Sequence, residues 1–306
     1  MRPSVQAPAA IVMVRPHHFT VNTETAADNA FQANADLPAD IARRAFDEHA
    51  AAVAALEDMG VRVHVFDGDN PATPDRVFPN NWFSTHAGGH VAIYPMKAPN
   101  RRLERRPDVI EMLKARYRVQ DVIDYSGLEP DGLFLEGTGA MVLDHIDRVA
   151  YAVQSDRTNP VALERFCTHF NFEPMVFPAA DAAGLPIYHT NVLMCIGTYF
   201  AMIGAGLITD PARRDEILTR LRQSGRDLVE LTEDQIAAFA GNAIELQGAE
   251  RRILALSSTA FAALRADQIA LIEQSATLLS LPIPTIETAG GSVRCTIAGI
   301  HLAPRF

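Results

Sequence analysis

Cysteine is scarce in this chain, long apolar runs are missing, and positive charge is in deficit. Each shortage removes a class of protein. Three cysteines, Cys167, Cys195 and Cys295, are spread over 306 residues. They are too few and too far apart for the disulfide framework of a small secreted domain. No CxxC spacing occurs, and the histidines are scattered apart from a single HxxxH pair, His86 and His90, which spans the turn residues Gly88-Gly89, so neither a metal nor an organic cofactor is expected. No run is long enough to span a bilayer as a helix, and no charged-then-apolar leader opens the chain. Lysine and arginine number 27 against 37 aspartates and glutamates, for a net charge of -10 and a pI near 5.4. That balance argues against nucleic acid as a partner. The one basic cluster, Arg101-Arg102-Leu103-Glu104-Arg105-Arg106, is short and interrupted by a glutamate. These shortages leave a cytoplasmic, reduced protein without a membrane or nucleic-acid partner; a homo-oligomer stays open.

Apolar residues make up 48% of the chain and charged residues 21%, which suits a globular fold with a substantial core. One pattern recurs at a period of about 50 residues, a spacing that signals a propeller or solenoid. Two short strands lead to a helix and then a third strand. Strands at 82–84 and 91–94 precede a helix at 107–117 and a strand at 119–123. The next copies are 141–143, 149–153, 160–170 and 175–177, then 192–196, 199–203, 211–223 and 228–231. The fourth is 243–246, 253–256, 267–279 and 283–286. A fifth is split between the chain ends, with strands at 295–300 and 11–14, a helix from Pro38 to Gly60 and a strand at 61–66. A blade built from both ends would close a ring and leave no open edge. The polar stretch from Arg15 to Asn34 reads as a long loop of the kind that lines or covers a site.

Each unit opens on a polar residue, and Asn81, Glu136, His189, Asn242 and Cys295 follow one another at intervals of 55, 53, 53 and 53 residues. Equivalent positions of pseudo-symmetric repeats converge on the axis, which would bring a thiol, an imidazole and a carboxylate together. Cysteine attacks, histidine moves a proton, and a carboxylate orients the imidazole. The stretch 288–296 places Arg294 beside Cys295 behind Gly290-Gly291, and a cation beside a thiol favours the attacking thiolate. Cys167 and Cys195 fall in a helix and an apolar strand and read as core.

Five motifs carry a family resemblance: Phe78-Pro79-Asn80-Asn81-Trp82, Leu135-Glu136-Gly137-Thr138-Gly139, Ser155-Asp156-Arg157-Thr158-Asn159, His189-Thr190-Asn191 and Gly290-Gly291-Ser292-Val293-Arg294-Cys295. In order, and over most of the chain, they resemble the guanidine-modifying enzymes. That superfamily holds arginine deiminases, dimethylarginine dimethylaminohydrolases and amidinotransferases; the nearest branch is the citrulline-utilisation hydrolases (citrullinases). The resemblance implies an α/β pentein fold, a five-bladed propeller of ββαβ units, as one catalytic domain over residues 1–306. It also implies Cys295 as nucleophile, His189 as general acid/base, Glu136 as its partner and Arg157 on the substrate α-carboxylate. Arg102, Asn242 and Arg294 complete the expected substrate contacts.

Two positions depart from the arginine deiminase pattern. Asn81 stands where a Phe-Thr-Arg-Asp motif ends in aspartate, and Asn191 where a His-Leu-Asp motif does. Burying a guanidinium without its carboxylate costs about 3–5 kcal/mol, whereas a neutral ureido group wants the donor and acceptor that an amide offers. The expected reaction is therefore hydrolysis of citrulline to ornithine, ammonia and carbon dioxide through a covalent Cys295 intermediate. The alternatives are arginine or methylarginine as substrate, amidino transfer to another amine, or a binding scaffold without catalysis.

Overall fold

The computed structural model describes residues 4–26, 29–33 and 38–305. The chain starts with β1 (Ala10–Pro16) and β2 (Arg62–Gly68), which pair in parallel. Four three-stranded sheets follow in order. They are β3 (Phe83–His86), β4 (His90–Ile93) and β5 (Asp121–Asp124); β6 (Met141–Asp144), β7 (Val149–Val153) and β8 (Glu173–Phe177); β9 (Met194–Ile196), β10 (Phe200–Ile203) and β11 (Asp227–Glu230); and β12 (Ile244–Gln247), β13 (Arg252–Ser257) and β14 (Thr277–Leu281). The short β15 (Ala298–Gly299) then returns to pair with β1, Ile11 opposite Gly299 and Val12 opposite Ala298. In every sheet the first two strands run antiparallel and the third joins in parallel. This is the ββαβ arrangement of the pentein fold, with the fifth sheet assembled from the two ends of the chain.

A parallel partner requires a crossover, and each crossover carries a helix: Ile41–Asp58, Pro107–Arg116, Pro160–Phe170, Pro211–Gln223 and Ala266–Glu273. Proline opens three of them at the first helical position, where its missing N–H is no loss. Asn159 caps Pro160–Phe170 by accepting from the Val161 and Ala162 N–H groups, and Asn171 ends that helix in the left-handed region at φ 54°. Its buried stripe, Ala162, Leu163, Phe166, Cys167 and Phe170, alternates steps of one and three residues and faces β7 and β8. Burial of one such large side chain contributes about 1.5–3 kcal/mol. Every residue of β7 is buried, so both of its faces are covered.

Four apolar clusters seal the joints between sheets. Val12 shares a cluster with Phe83, Tyr94 with Met141, Tyr151 with Met194 and Leu254, and Ile11 with Ile253. Apolar contact thus runs from each sheet to the next and back to the first. Among the described residues no helix is long and apolar enough to cross a membrane.

Four expected elements are corrected. The helix expected over 267–279 stops at Glu273, and Thr277–Leu281 is a strand that pairs with β13. The helical spacing of Ile272, Ser275 and Leu279 is overridden because β13 would otherwise be left without its parallel partner. The strand expected at 283–286 is the turn Pro284–Glu287, which Pro284 opens. Of 295–300 just Ala298–Gly299 pairs, and Cys295 sits in the preceding turn, where its N–H is bonded to the Ser292 carbonyl at 3.0 Å. Likewise Val192 and Leu193 belong to the helical turn Thr190–Leu193 that leads into β9.

Candidate active site

Each first strand is entered through a tight turn, and the five polar residues at the 53–55 residue spacing occupy those turns. Asn81 ends the turn Pro79–Asn81, Glu136 precedes Gly137–Ala140, and His189 precedes Thr190–Leu193. The turns bond to one another around the centre. Thr138 donates to the Asn80 carbonyl at 3.2 Å, Thr190 to the Ala140 carbonyl at 2.6 Å, and Asn242 to the Asn191 carbonyl at 3.2 Å. The Arg294 N–H closes the chain of contacts on the Asn242 carbonyl at 3.3 Å. Glycine makes this crowding possible. A Cβ on Gly139 would lie 2.1 Å from Asn81 Nδ2 and 2.8 Å from His189 Nδ1. Gly137, at φ +50°, would place one 2.4 Å from the Asn80 carbonyl oxygen.

His189 and Cys295 line one small cavity of about 20 Å³, along with Asn81, Arg101, Arg157 and Tyr188. The His189 Nε2–H donates to Glu136 Oε2 at 2.9 Å, and both side chains are buried. Burial lowers the imidazole to about 4 despite the pull of Glu136 in the other direction, so the ring is neutral at pH 7. Burial alone would raise Glu136; Arg157, the His189 hydrogen bond and Arg101 outweigh it and hold the carboxyl well below its usual range. The Lys97 N–H adds a bond to Oε1 at 3.0 Å. A neutral imidazole with one nitrogen fixed on an ionised carboxylate can accept a proton through the other.

The Cys295 sulfur receives two amide donors, Asn191 Nδ2 at 3.1 Å and Asn242 Nδ2 at 3.2 Å. The Oδ1 atoms of both amides are buried without a hydrogen-bond partner. Arg157 lies 3.6 Å from Glu136 and stacks over the Tyr188 ring at 4.8 Å; the Tyr188 hydroxyl donates to the Gly290 carbonyl at 2.5 Å. Asn29, in the long loop, lines the cavity, and Arg157 donates to the Thr25 carbonyl at 3.4 Å. Asn34 and two inner residues of that loop lie outside the described residues.

Two expected contacts are placed elsewhere, and a third is already engaged. Arg102 points outward from the turn Pro99–Arg102, donating to the carbonyls of Met96 and Lys97; its neighbour Arg101 turns in toward the cavity. Arg294 donates to the Ile297 carbonyl at 2.8 Å and faces a different cavity. Asn81 does line the site, but its amide is already committed, accepting from Arg101 at 3.1 Å and donating to the Glu136 carbonyl at 3.3 Å.

Sequence reasoning missed Arg101, Asp75 and Glu104, which form a buried cluster. Arg101 bonds both Glu104 oxygens at 3.0 Å and lies 3.7 Å from Asp75 and 3.8 Å from Glu136. Burial pushes Glu104 up to about 7 and raises Asp75, against the pull of Arg101 in each case. Asp75 Oδ2 accepts from Asn22 at 2.8 Å, while its Oδ1 is buried with no partner. The clue in the sequence was the i,i+3 spacing of Arg101 and Glu104, which lets the two side chains meet across a turn.

Residues 15–302 match the profile of the family described as N,N dimethylarginine dimethylhydrolase, eukaryotic. The chain belongs to that family. It is accordingly a hydrolase acting on C–N bonds within the guanidine-modifying superfamily. Among solved structures it is similar to a cysteine-to-serine variant of the N-terminal domain of ArgZ bound to substrate, an arginine dihydrolase from the ornithine-ammonia cycle in cyanobacteria. That likeness has a TM-score of 0.74 at 17% identity, covering 95% of this chain and 97% of the other. Unliganded AgrE gives 0.73 at 18% identity, and this chain's match covers 97% of itself and 40% of AgrE. A dimethylarginine dimethylaminohydrolase variant carrying an adduct of S-methyl-L-thiocitrulline gives 0.63 at 14%, over 95% and 99% of the two chains. At such identities the structures speak to the fold alone. No curated protein matches by sequence.

Proposed function

We propose that this chain hydrolyses the ureido group of citrulline, releasing ornithine, ammonia and carbon dioxide, and that the whole ring of five sheets is one catalytic domain. The observation that carries the substrate choice is the ligation of the Cys295 sulfur by the neutral amides of Asn191 and Asn242, at 3.1 and 3.2 Å. Neither amide lines the small cavity, so both act at the reacting end through the sulfur they bond; neutral groups there suit a neutral substrate, where a guanidinium would ask for a carboxylate. At the other end, Asp75 Oδ1 has no partner and suits an α-ammonium, and Arg157 suits the α-carboxylate.

The reaction runs on the thiol and imidazole. Neutral His189 takes the Cys295 proton as the sulfur attacks the ureido carbon, and Glu136 stabilises the imidazolium so formed. Amide donors beside the sulfur stabilise charge on the tetrahedral oxygen. The imidazolium returns its proton to the δ-nitrogen, the C–N bond breaks and ornithine leaves. Water, deprotonated by His189, then cleaves the S-carbamoyl group, and the carbamate decomposes to ammonia and carbon dioxide. A cavity of about 20 Å³ holds little more than a water. Substrate entry therefore requires the loop residues Asn22, Thr25, Asn29 and Gln32, all buried against the site, to lift.

One observation favours arginine as a second reading. Among the described residues of the buried cluster three carboxyl groups, Asp75, Glu104 and Glu136, meet two guanidinium groups, Arg101 and Arg157, and a cationic substrate would favour the ionised forms of Asp75 and Glu104 that burial opposes. The test is to incubate the protein with citrulline and with arginine separately, quench in acid, and weigh the adduct on Cys295 while measuring ornithine. A carbamoyl-sized increment and ornithine from citrulline are expected, both lost in Cys295→Ser. Arginine consumed far faster, with citrulline accumulating, would overturn the first reading in favour of the second.

A further inference from the structure

Behind the catalytic turns, the first strands of all five sheets enclose a second cavity of about 50 Å³ on the axis of the ring. Arg294, His145, His301, Glu245 and Cys195 contribute to its wall. Arg294 is half-buried, and its side chain lines this cavity. A guanidinium has five N–H donors, no acceptor, and does not deprotonate in proteins. Here the protein supplies one hydrogen bond, from Nη1 to the Ile297 carbonyl at 2.8 Å, and among the described residues no carboxylate pairs with it.

The other groups on the wall leave that charge unbalanced. Glu245 is spent on Arg252 Nε at 3.1 Å and on the N–H and hydroxyl of Thr198 at 2.7 and 2.6 Å. Burial pushes the Cys195 thiol up to about 12, so it is neutral. His145 and His301 stack at 3.9 Å between ring centroids; burial, reinforced by Arg294 for both and by His301 for His145, holds both below their usual range, His301 at about 4. They are uncharged imidazoles; the His301 ring is already bonded to the Val5 backbone, which leaves the His145 N–H to give. A partly buried cation without a counter-ion is costly, and the cavity has room for more than one water.

We propose that this axial cavity binds a small monovalent inorganic anion, of chloride or bicarbonate size, against the Arg294 guanidinium, with His145 and His301 as neutral walls. Chloride would come from the medium and bicarbonate from hydrated carbon dioxide; both are small enough for the space, and gluconate is not. The test compares thermal unfolding of the whole protein in sodium chloride, bromide, bicarbonate and gluconate at equal ionic strength and pH, together with anomalous diffraction from bromide-soaked crystals. Chloride or bromide should raise Tm over gluconate by about 3 °C with a saturating dose response, and the rise should vanish in Arg294→Gln. A bromide peak should lie against the guanidinium. A response to bicarbonate alone would assign the site to that anion and so support the proposal. Equal Tm in all four salts with no bromide peak would overturn it, as would an undiminished response in Arg294→Gln. Should that variant fail to fold, the diffraction experiment on the unsubstituted protein decides.

Discussion

Two carboxamides and one imidazole set what Cys295 can do. Asn191 and Asn242 aim N–H donors at the sulfur while their carbonyl oxygens stay without protein partners, a costly arrangement unless a ligand or the charged sulfur repays it. Replacing Asn242 by leucine removes one donor at nearly constant volume. A hydrogen bond to a charged group is worth about 1.5–3 kcal/mol, so single-turnover acylation of Cys295 should slow about 10- to 100-fold. An unchanged acylation rate would show that the amides only pack. The same logic gives Glu136→Gln a different signature. The carboxylate that holds His189 Nε2–H at 2.9 Å and stabilises its cation is replaced by a group that carries no charge. Turnover should fall about 10²- to 10⁴-fold, with KM changing much less, because Glu136 is absent from the cavity lining. A rise in KM at constant kcat would instead place Glu136 among the substrate contacts.

At the scale of elements, the inner turns do the positioning and the helices outside them do not. Gly139 is the tightest point, where neighbouring turns touch. In Gly139→Ala the new Cβ must displace Asn81 and His189, costing about 1–3 kcal/mol of stability. A displaced imidazole should cost about 100-fold in kcat, read from steady-state kinetics beside a thermal melt. Wild-type activity with a lowered Tm would break the link between turn and site. These turns were legible in the sequence because their polar residues recur at a near-constant interval, and helices such as Pro160–Phe170 and Pro211–Gln223 because each recurs at the same place in the repeat and starts at a proline. What could not be read depended on facing. Arg101 and Arg102 are equivalent as letters, and only the sense of a four-residue turn decides which one enters the buried cluster. Asp75 gave no signal, because a single aspartate after a proline reads as an ordinary turn residue. Residues 277–281 suit a helix locally and become a strand through the demand of β13.

For the molecule as a whole, a ring of apolar joints around a polar axis buries an unusual set of titratable groups, and their linkage fixes its response to acid. Burial lowers His49, His189 and His301 to about 4 each, and His86 and His145 well below their usual value. Because the unfolded chain binds these protons first, the stability each histidine supports is complete above pH 6.5. It is lost as the pH falls from there toward 4, at about 1.4 kcal/mol per pH unit for each. Glu104, pushed up to about 7, works the other way: the folded state takes up its proton first, and stability rises as the pH falls from 7 toward 4.5. Several histidines against one strongly raised glutamate leave a net loss, so Tm should drop steadily between pH 6.5 and 4. His49 offers the cleanest test. It is buried in the helix Ile41–Asp58 with neither ring nitrogen hydrogen-bonded, and it is remote in sequence from the catalytic turns. His49→Leu should raise stability at pH 7 by about 1–3 kcal/mol, since two orphaned polar atoms disappear. It should also flatten the slope of unfolding free energy against pH by one proton, measured by denaturant titration at half-unit steps. A variant whose slope equals that of the unsubstituted protein would mean that His49 is already protonated when folded, and the burial account of acid sensitivity would then be wrong.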